Sequence, residues 1–175
     1  MKFLIAYATE RGGVEGLATL IGAELRYHSH QVVVLPANVV TSVTDYSHVI
    51  VGGAVYANRW HHDARKLVHH FAEDLRARPT WLFSVRALTE TVPEQGEELL
   101  PELVLAAKEI NAAGTKTFDA RNHNLEGLSD LAAAQLRRAG DWRDEVAVQE
   151  WVYEIEGARR TQFLHDLGLG GYVTG

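Results

Sequence analysis

KFLIAYATERGGVEGLAT, residues 2–19, is the stretch that decides the fold. Phe3 to Ala8 is an unbroken apolar run, too short and too aromatic at its ends to read as a helix. The run breaks into Thr9-Glu10-Arg11-Gly12-Gly13, and apolar residues then return at Val14, Leu17, Ala18, Ile21 and Leu25 with helical spacing. The pattern predicts a buried strand, a tight glycine turn and an amphipathic helix over about 14–27. In a parallel α/β sheet such a turn lies at the carboxyl end of a strand. There the first amides of the following helix lack intrahelical partners and can hold an anion. The stretch therefore points to a phosphate-bearing ligand.

Outward from it, the same alternation recurs. HQVVVL, residues 30–35, predicts a second strand closed by Pro36, and HVIVG, residues 48–52, a third that ends at Gly52-Gly53. Trp60 to Leu75 reads as a helix with Ala64, Leu67, Val68, Phe71 and Leu75 on one face, and Pro79 sets the start of a fourth strand, TWLFSV at 80–85. Arg86 to Gln95 reads as irregular, with a helix from about Glu97 to Ala113 stopped by Gly114. TKTFDA, residues 115–120, is a weaker fifth strand. Leu125, Leu128, Leu131, Ala132 and Leu136 suggest a helical excursion, Asp141 a helix cap, and Val148, Trp151, Val152, Ile155 and Phe163 a last helix over 146–167, weakened at Gly157. Continuous rather than alternating apolar strands, interleaved with helices, predict a parallel sheet covered on both faces. No repeat or linker divides the chain. One domain is expected over 1–167, followed by the glycine-rich tail 168–175.

The totals agree with a single unit. A chain of 175 residues buries about two-thirds of its unfolded surface, and 46% hydrophobic with 23% charged residues is ordinary for a globular protein. No apolar run approaches the roughly 20 residues that cross a bilayer. MKFLIAYATE has no cleavage pattern, so a signal peptide is not expected and a cytoplasmic location is. The absence of cysteine excludes disulfide, thiolate and iron–sulfur chemistry. A net charge of −6 argues against nucleic acid as the main partner, because phosphate neutralisation needs a basic face. An acidic surface of this size aids solubility or steers a basic partner protein.

The spacing of the loop discriminates between phosphate motifs. A Walker loop needs a Gly-Lys-Ser/Thr ending, and the Rossmann fingerprint needs G-x-G-x-x-G; Gly12, Gly13 and Gly16 satisfy neither. Thr9-Glu10-Arg11-Gly12-Gly13-Val14 instead resembles the flavodoxin phosphate loop, T/S-x-x-G-x-T/S. VIVGGAVYANRW, DARKLVHHFAEDL and RPTWLFSV, all within His48 to Val85, are similar to the centre of the flavodoxin-domain family that includes the menaquinone-dependent protoporphyrinogen dehydrogenases. Ala120-Arg121-Asn122-His123 and Gly140-Asp141-Trp142-Arg143-Asp144 are similar to late segments of its small bacterial members.

The resemblance implies a flavodoxin-like three-layer α/β/α fold, with a five-stranded parallel sheet in the order 2-1-3-4-5 and FMN at the carboxyl edge. It implies that Thr9, Glu10, Arg11, Gly12, Gly13 and Val14 hold the phosphate, largely through amides. Ala54, Val55, Tyr56 and Trp60 on one flanking loop, and Ser84, Val85, Arg86 and Ala87 on another, would hold the isoalloxazine, with Tyr56 and Trp60 the candidates to stack on it. Three departures stand out. Val14 lacks the usual loop hydroxyl, a loss of about 1.5–3 kcal/mol or ten- to a hundredfold in affinity, so Val14→Thr is expected to tighten binding. Glu10 repels a phosphate, which Arg11 offsets. Val85 and Arg86 are bulkier than the serine- and glycine-containing turn of many relatives.

The function implied is FMN-dependent redox chemistry, either electron transfer with a protein partner or oxidation of a small substrate such as a porphyrinogen. The 121–139 segment is shorter and more mixed in charge than the basic, apolar insertion of the dehydrogenases it resembles. The rival reading is the same fold with cofactor binding lost or altered (no FMN, or another flavin or deazaflavin), used as a binding or interaction module. On that reading Thr9 to Val14 is a plain connector, and Tyr56 and Trp60 cover the sheet edge or form a homodimer contact. Arg86 has two candidate roles, to meet a phosphate, substrate carboxylate or flavin carbonyl, or to pair with Glu90 or Glu94. His61, His62, His69 and His70 share one predicted helix without the i, i+4 spacing of a metal site, and read as solvated. Asp141 to Asp144 reads as a cap over Trp142, and His123 as a structural or exposed loop residue. No acid or base is assigned, because a flavin carries the electrons itself.

Overall fold

Phe3, Leu4, Ile5 and Ala6 have no solvent exposure at all. Consecutive residues point to opposite faces of a strand, so burial of all four requires partners on both edges and cover on both faces. The structure, a computed structural model, describes residues 1–10, 13–88, 100–121 and 146–157. In it β1 (Lys2–Ala8) lies between β2 (Gln31–Pro36) and β3 (His48–Tyr56), followed outward by β5 (Thr80–Leu88) and β6 (Gly114–Arg121). These five strands are parallel, and a two-residue β4 (Arg59–Trp60) turns back antiparallel onto β3. Leaving β4 aside, the order β2-β1-β3-β5-β6 is the 2-1-3-4-5 arrangement that the sequence resemblance implies.

Helices cover both faces. α2 (His62–His70), α3 (Ala72–Arg76) and α4 (Pro101–Ile110) pack Leu67, Leu75 and Leu103 against Leu4, Val49, Val51 and Leu82. On the other face α1 (Gly13–Tyr27) and α5, the helix at 146–157, pack Leu17, Ile21, Trp151 and Ile155 against Phe3, Ile5, Ile50 and Phe83. Among the described residues no helix is long and apolar enough to cross a membrane.

Several boundaries depart from the sequence reading. β3 does not stop at Gly52-Gly53 but continues to Tyr56, because the glycines make room for neighbours rather than a turn: a Cβ on Gly53 would lie 2.8 Å from Trp60 Nε1 and 3.1 Å from Ala64 Cβ. The helix expected over 60–75 loses Trp60 to β4, starts after His61, whose ring accepts the Asp63 N–H at 3.1 Å, and breaks at Phe71, where φ is −104° and ψ 23°. α4 closes at Asn111, not Gly114; Asn111 takes the left-handed conformation (φ 52°) and its N–H returns to Ala107 and Lys108 carbonyls. Arg121, expected to open the excursion over 121–139, is the last residue of β6; the rest of that excursion, His123, the Asp141–Asp144 cap, the end of the last helix and the tail lie outside the described residues.

Candidate functional site

β1 leads into α1 on one face of the sheet, while β3 leads through the hairpin into α2 on the other. The chain thus departs in opposite directions from neighbouring strands, which leaves a crevice at their carboxyl ends. A cleft of about 290 Å³ opens at this edge of the sheet, on the β1–β2 side. Tyr7, Ala8 and Thr9 line it from the end of β1, Pro36 and Asn38 from the end of β2, Glu15 from α1 and Asp63 from α2.

α1 begins at Gly13, directly after the loop, so its leading amides face this edge without intrahelical acceptors. Among the described residues, the helix's own backbone aside, nothing stands within 4 Å of a Cβ built on Gly13 or Gly16, so on that side the first turn is open to an approaching group. Glu15, also in that turn, lines the cleft with Tyr7. Partial burial of the phenol, and next the negative charge of Glu15, hold the Tyr7 pKa above its ordinary value.

The hairpin that follows β3 is tight. Tyr56 pairs with Arg59, leaving only Ala57 and Asn58 between the strands, with φ of 48° and 58°. Two successive left-handed residues are what a type I′ turn requires, and Ala57 adopts that conformation despite its Cβ. Tyr56 stands out at 70% exposure. Trp60, four residues on, is 1% exposed; its indole Nε1–H donates to the Phe83 carbonyl at 3.1 Å. The expectation that Trp60 could stack on a ligand is thereby corrected: its ring belongs to the core beneath the hairpin, and Tyr56 is the aromatic that reaches solvent.

The sequence profile of the flavodoxin domain matches residues 4–118, from β1 into β6. The chain belongs to the flavodoxin domain family. In shape this flavodoxin-domain chain is similar to a cysteine-to-serine mutant of flavodoxin from Pseudomonas aeruginosa, with a TM-score of 0.58 and 12% identity over 90% of this chain and 98% of that one. It is likewise similar to oxidised flavodoxin 2 from Bacillus cereus, with a TM-score of 0.57 and 21% identity over 86% and 94%. A third similar structure, rubredoxin oxygen:oxidoreductase from Desulfovibrio gigas, gives 0.53 and 13%, with 84% of this chain matching 36% of that larger one. At such identities the likeness is one of fold. Comparison with curated proteins by sequence finds no match.

The flavodoxin-domain edge brings some of the expected residues together and not others. Thr9 is the one of them that lines the cleft, Glu10 is exposed beside it, and Arg11 and Gly12 lie outside the described residues. Val14 offers the loop no side chain: it is 2% exposed and packs with Phe3, Ile5 and Leu17. A hydroxyl there would enter the core, which removes the reason to expect tighter binding from Val14→Thr. Ala54 and Val55 are half-buried at the end of β3, their side chains on opposite faces. The loop expected at 84–88 is strand instead. Ser84 is fully buried with its hydroxyl 3.0 Å from that of Thr117, Val85 lies in the core, and Ala87 pairs with Ala120 in the ladder. Arg86, expected to meet either a ligand or Glu90 or Glu94, has its Nε 3.1 Å from Asp119 Oδ1 across the β5–β6 register. Glu90 and Glu94 lie outside the described residues.

Sequence reasoning missed Tyr7, Glu15, Asn38 and Asp63. Tyr7 and Glu15 had a signal, since the end of the first strand and the first turn of the next helix necessarily meet at this edge. Asn38 and Asp63 had none, because only the sheet order brings them there.

Proposed function

We propose that this chain is an FMN-binding redox protein of flavodoxin type that passes electrons to or from a partner. The observation that carries the reading is the open first turn of α1, which starts at Gly13 a few residues after the cleft-lining Thr9, inside a stretch that matches the flavodoxin domain. The amides following Glu10 would hold the phosphate, supported by the positive end of a 15-residue helix. Tyr56 would lie flat against the isoalloxazine, while Trp60 supports the hairpin from within. When bound, the flavin supplies reversible uptake of electrons; the protein binds it, limits access of water and sets its environment. The Tyr7 phenol, held neutral beside Glu15, adds no charge of its own to that edge. A cytoplasmic setting and a basic protein partner go with this reading, and oxidation of a small substrate such as a porphyrinogen is its narrower enzymatic form.

One observation favours the rival reading of an altered ligand. Glu15 and Asp63 both line the cleft, and the exposed Glu10 stands beside it, so several carboxylates surround the place where a dianion would approach. FMN titrated into the cofactor-free chain separates the two. The redox reading expects quenching of flavin fluorescence that saturates in the micromolar range or below, and an approximately tenfold weaker Kd in Tyr56→Ala. A wild-type chain that takes up no FMN at tens of micromolar, about the −6 kcal/mol level, leaves the rival reading standing.

A further inference from the structure

We propose that Glu102 is a positioning residue: from the first turn of α4 it holds the β3–β4 hairpin, and thereby sets where Tyr56 stands for a flavin. The inference rests on the FMN reading above and deepens it.

The hairpin does not hold itself. β4 contributes only two residues to the ladder, pairing Trp60 with Val55 and Arg59 with Tyr56, and the turn between them includes an alanine in the left-handed region. A two-residue ladder is marginal by itself, and left-handed backbone at a residue with a Cβ persists only where its surroundings over-determine it. The outer edge of β4 is closed by one carboxylate from 42 residues away. Glu102 Oε2 accepts the backbone N–H of Trp60 at 2.8 Å, and Oε1 accepts from Arg59 Nε at 3.1 Å, with Arg65 Nη1 3.4 Å away. Arg65 completes the circuit by donating its Nε–H to the Trp60 carbonyl at 3.1 Å.

One side chain therefore ties together β4, α2 and α4, and it does so on the two residues next to the left-handed pair. The Glu102 side chain retains 24% exposure, so its charge is partly desolvated and its bonds are stronger than those of a surface ion pair. Tyr56 itself is 70% exposed and pairs with Arg59, the first residue that Glu102 grips. Loss of the carboxylate frees Arg59 and the Trp60 amide together. Tyr56 then samples a wider range of positions, and ordering it for a ligand costs more.

Five proteins test this: wild type, Glu102→Gln, which keeps a neutral acceptor for the Trp60 N–H, Glu102→Ala, which keeps none, Tyr56→Ala, and the last two substitutions combined. Amide exchange of residues 59 and 60 is read in the cofactor-free chains. Exchange about tenfold or more faster is expected in Glu102→Ala, with an intermediate value in Glu102→Gln. FMN titration is expected to give a Kd about tenfold weaker in Glu102→Ala, and no further loss when Glu102→Ala is added to Tyr56→Ala, since the effect runs through that ring. A merely structural role would speed global unfolding and leave the Kd of the folded protein where it was, which overturns the proposal. Unchanged exchange at residues 59 and 60, or additive effects of the two alanine substitutions, overturns it equally. If Glu102→Ala does not fold, the Glu102→Gln comparison decides on the same readouts. Failure of the wild type to take up FMN is a distinct result, seen before any variant is compared, and sinks the flavin reading together with the coupling to it.

Discussion

Gly52 and Phe83, register partners on β3 and β5, occupy the same space: a Cβ built on Gly52 would lie 1.9 Å from Phe83 Cζ. The Phe83 ring folds over the glycine and from there meets Phe118 and Trp151 edge-on, at centroid distances of 5.9 Å and 5.8 Å. Gly52→Ala forces this wholly buried ring away from both partners. Destabilisation of about 3 kcal/mol or more is expected by urea unfolding, at the upper end of overpacking effects. Phe83→Leu in the same background should recover part of it, and a Gly52→Ala protein of unchanged stability would contradict the packing described.

Trp60 connects the hairpin to the sheet. Trp60→Phe removes the bond from its indole to the Phe83 carbonyl and leaves a space in the core shared with Leu100 and Leu103. A loss of about 2 kcal/mol is expected from the two effects combined. Thermal unfolding measures it, and a loss well under half of that figure would mean that the ring is not fixed as described.

Val14 fills the core under the start of α1. In Val14→Thr a methyl is exchanged for a hydroxyl among Phe3, Ile5 and Leu17, and a cost of about 1–2 kcal/mol in stability follows. Chemical denaturation gives the number. Stability equal to that of the wild type, accompanied by tighter FMN binding, would show that the hydroxyl reaches the loop after all.

Tyr7 makes the protein sensitive to alkali. Its pKa is raised above 10.0 in the folded state, so the neutral phenol is favoured there more than in the unfolded chain. The stabilisation is fully present below the unfolded value and is lost as pH rises through the raised one. Tyr7→Phe has no such proton to lose. Unfolding midpoints followed from about pH 8 to about pH 11 should fall less steeply in Tyr7→Phe than in the wild type. Parallel curves would show that Tyr7 titrates alike folded and unfolded.

Much of the architecture was legible because it depends on patterns of burial. A strand covered on both faces must be apolar throughout, and HVIVG and TWLFSV announce this directly. The passage from the first strand into an amphipathic helix was legible too: the apolar spacing after Gly13 is that of α1. What misled was punctuation: Gly52-Gly53 reads as a stop, yet it is the seat of Phe83 and Trp60, and a glycine that accommodates a neighbour looks in sequence like one that breaks a strand.

The order and spacing of apolar residues by themselves determined the parallel sheet and its two helical layers. Tertiary structure alone decided which of two aromatics on one hairpin faces water. It alone set Arg86 against Asp119 and brought Glu102 across 42 residues onto the Trp60 amide. The reason is that burial propensity is a property of each residue and its near neighbours, whereas a side chain's partner is fixed by strand order and register. Those are settled only when distant segments come into contact.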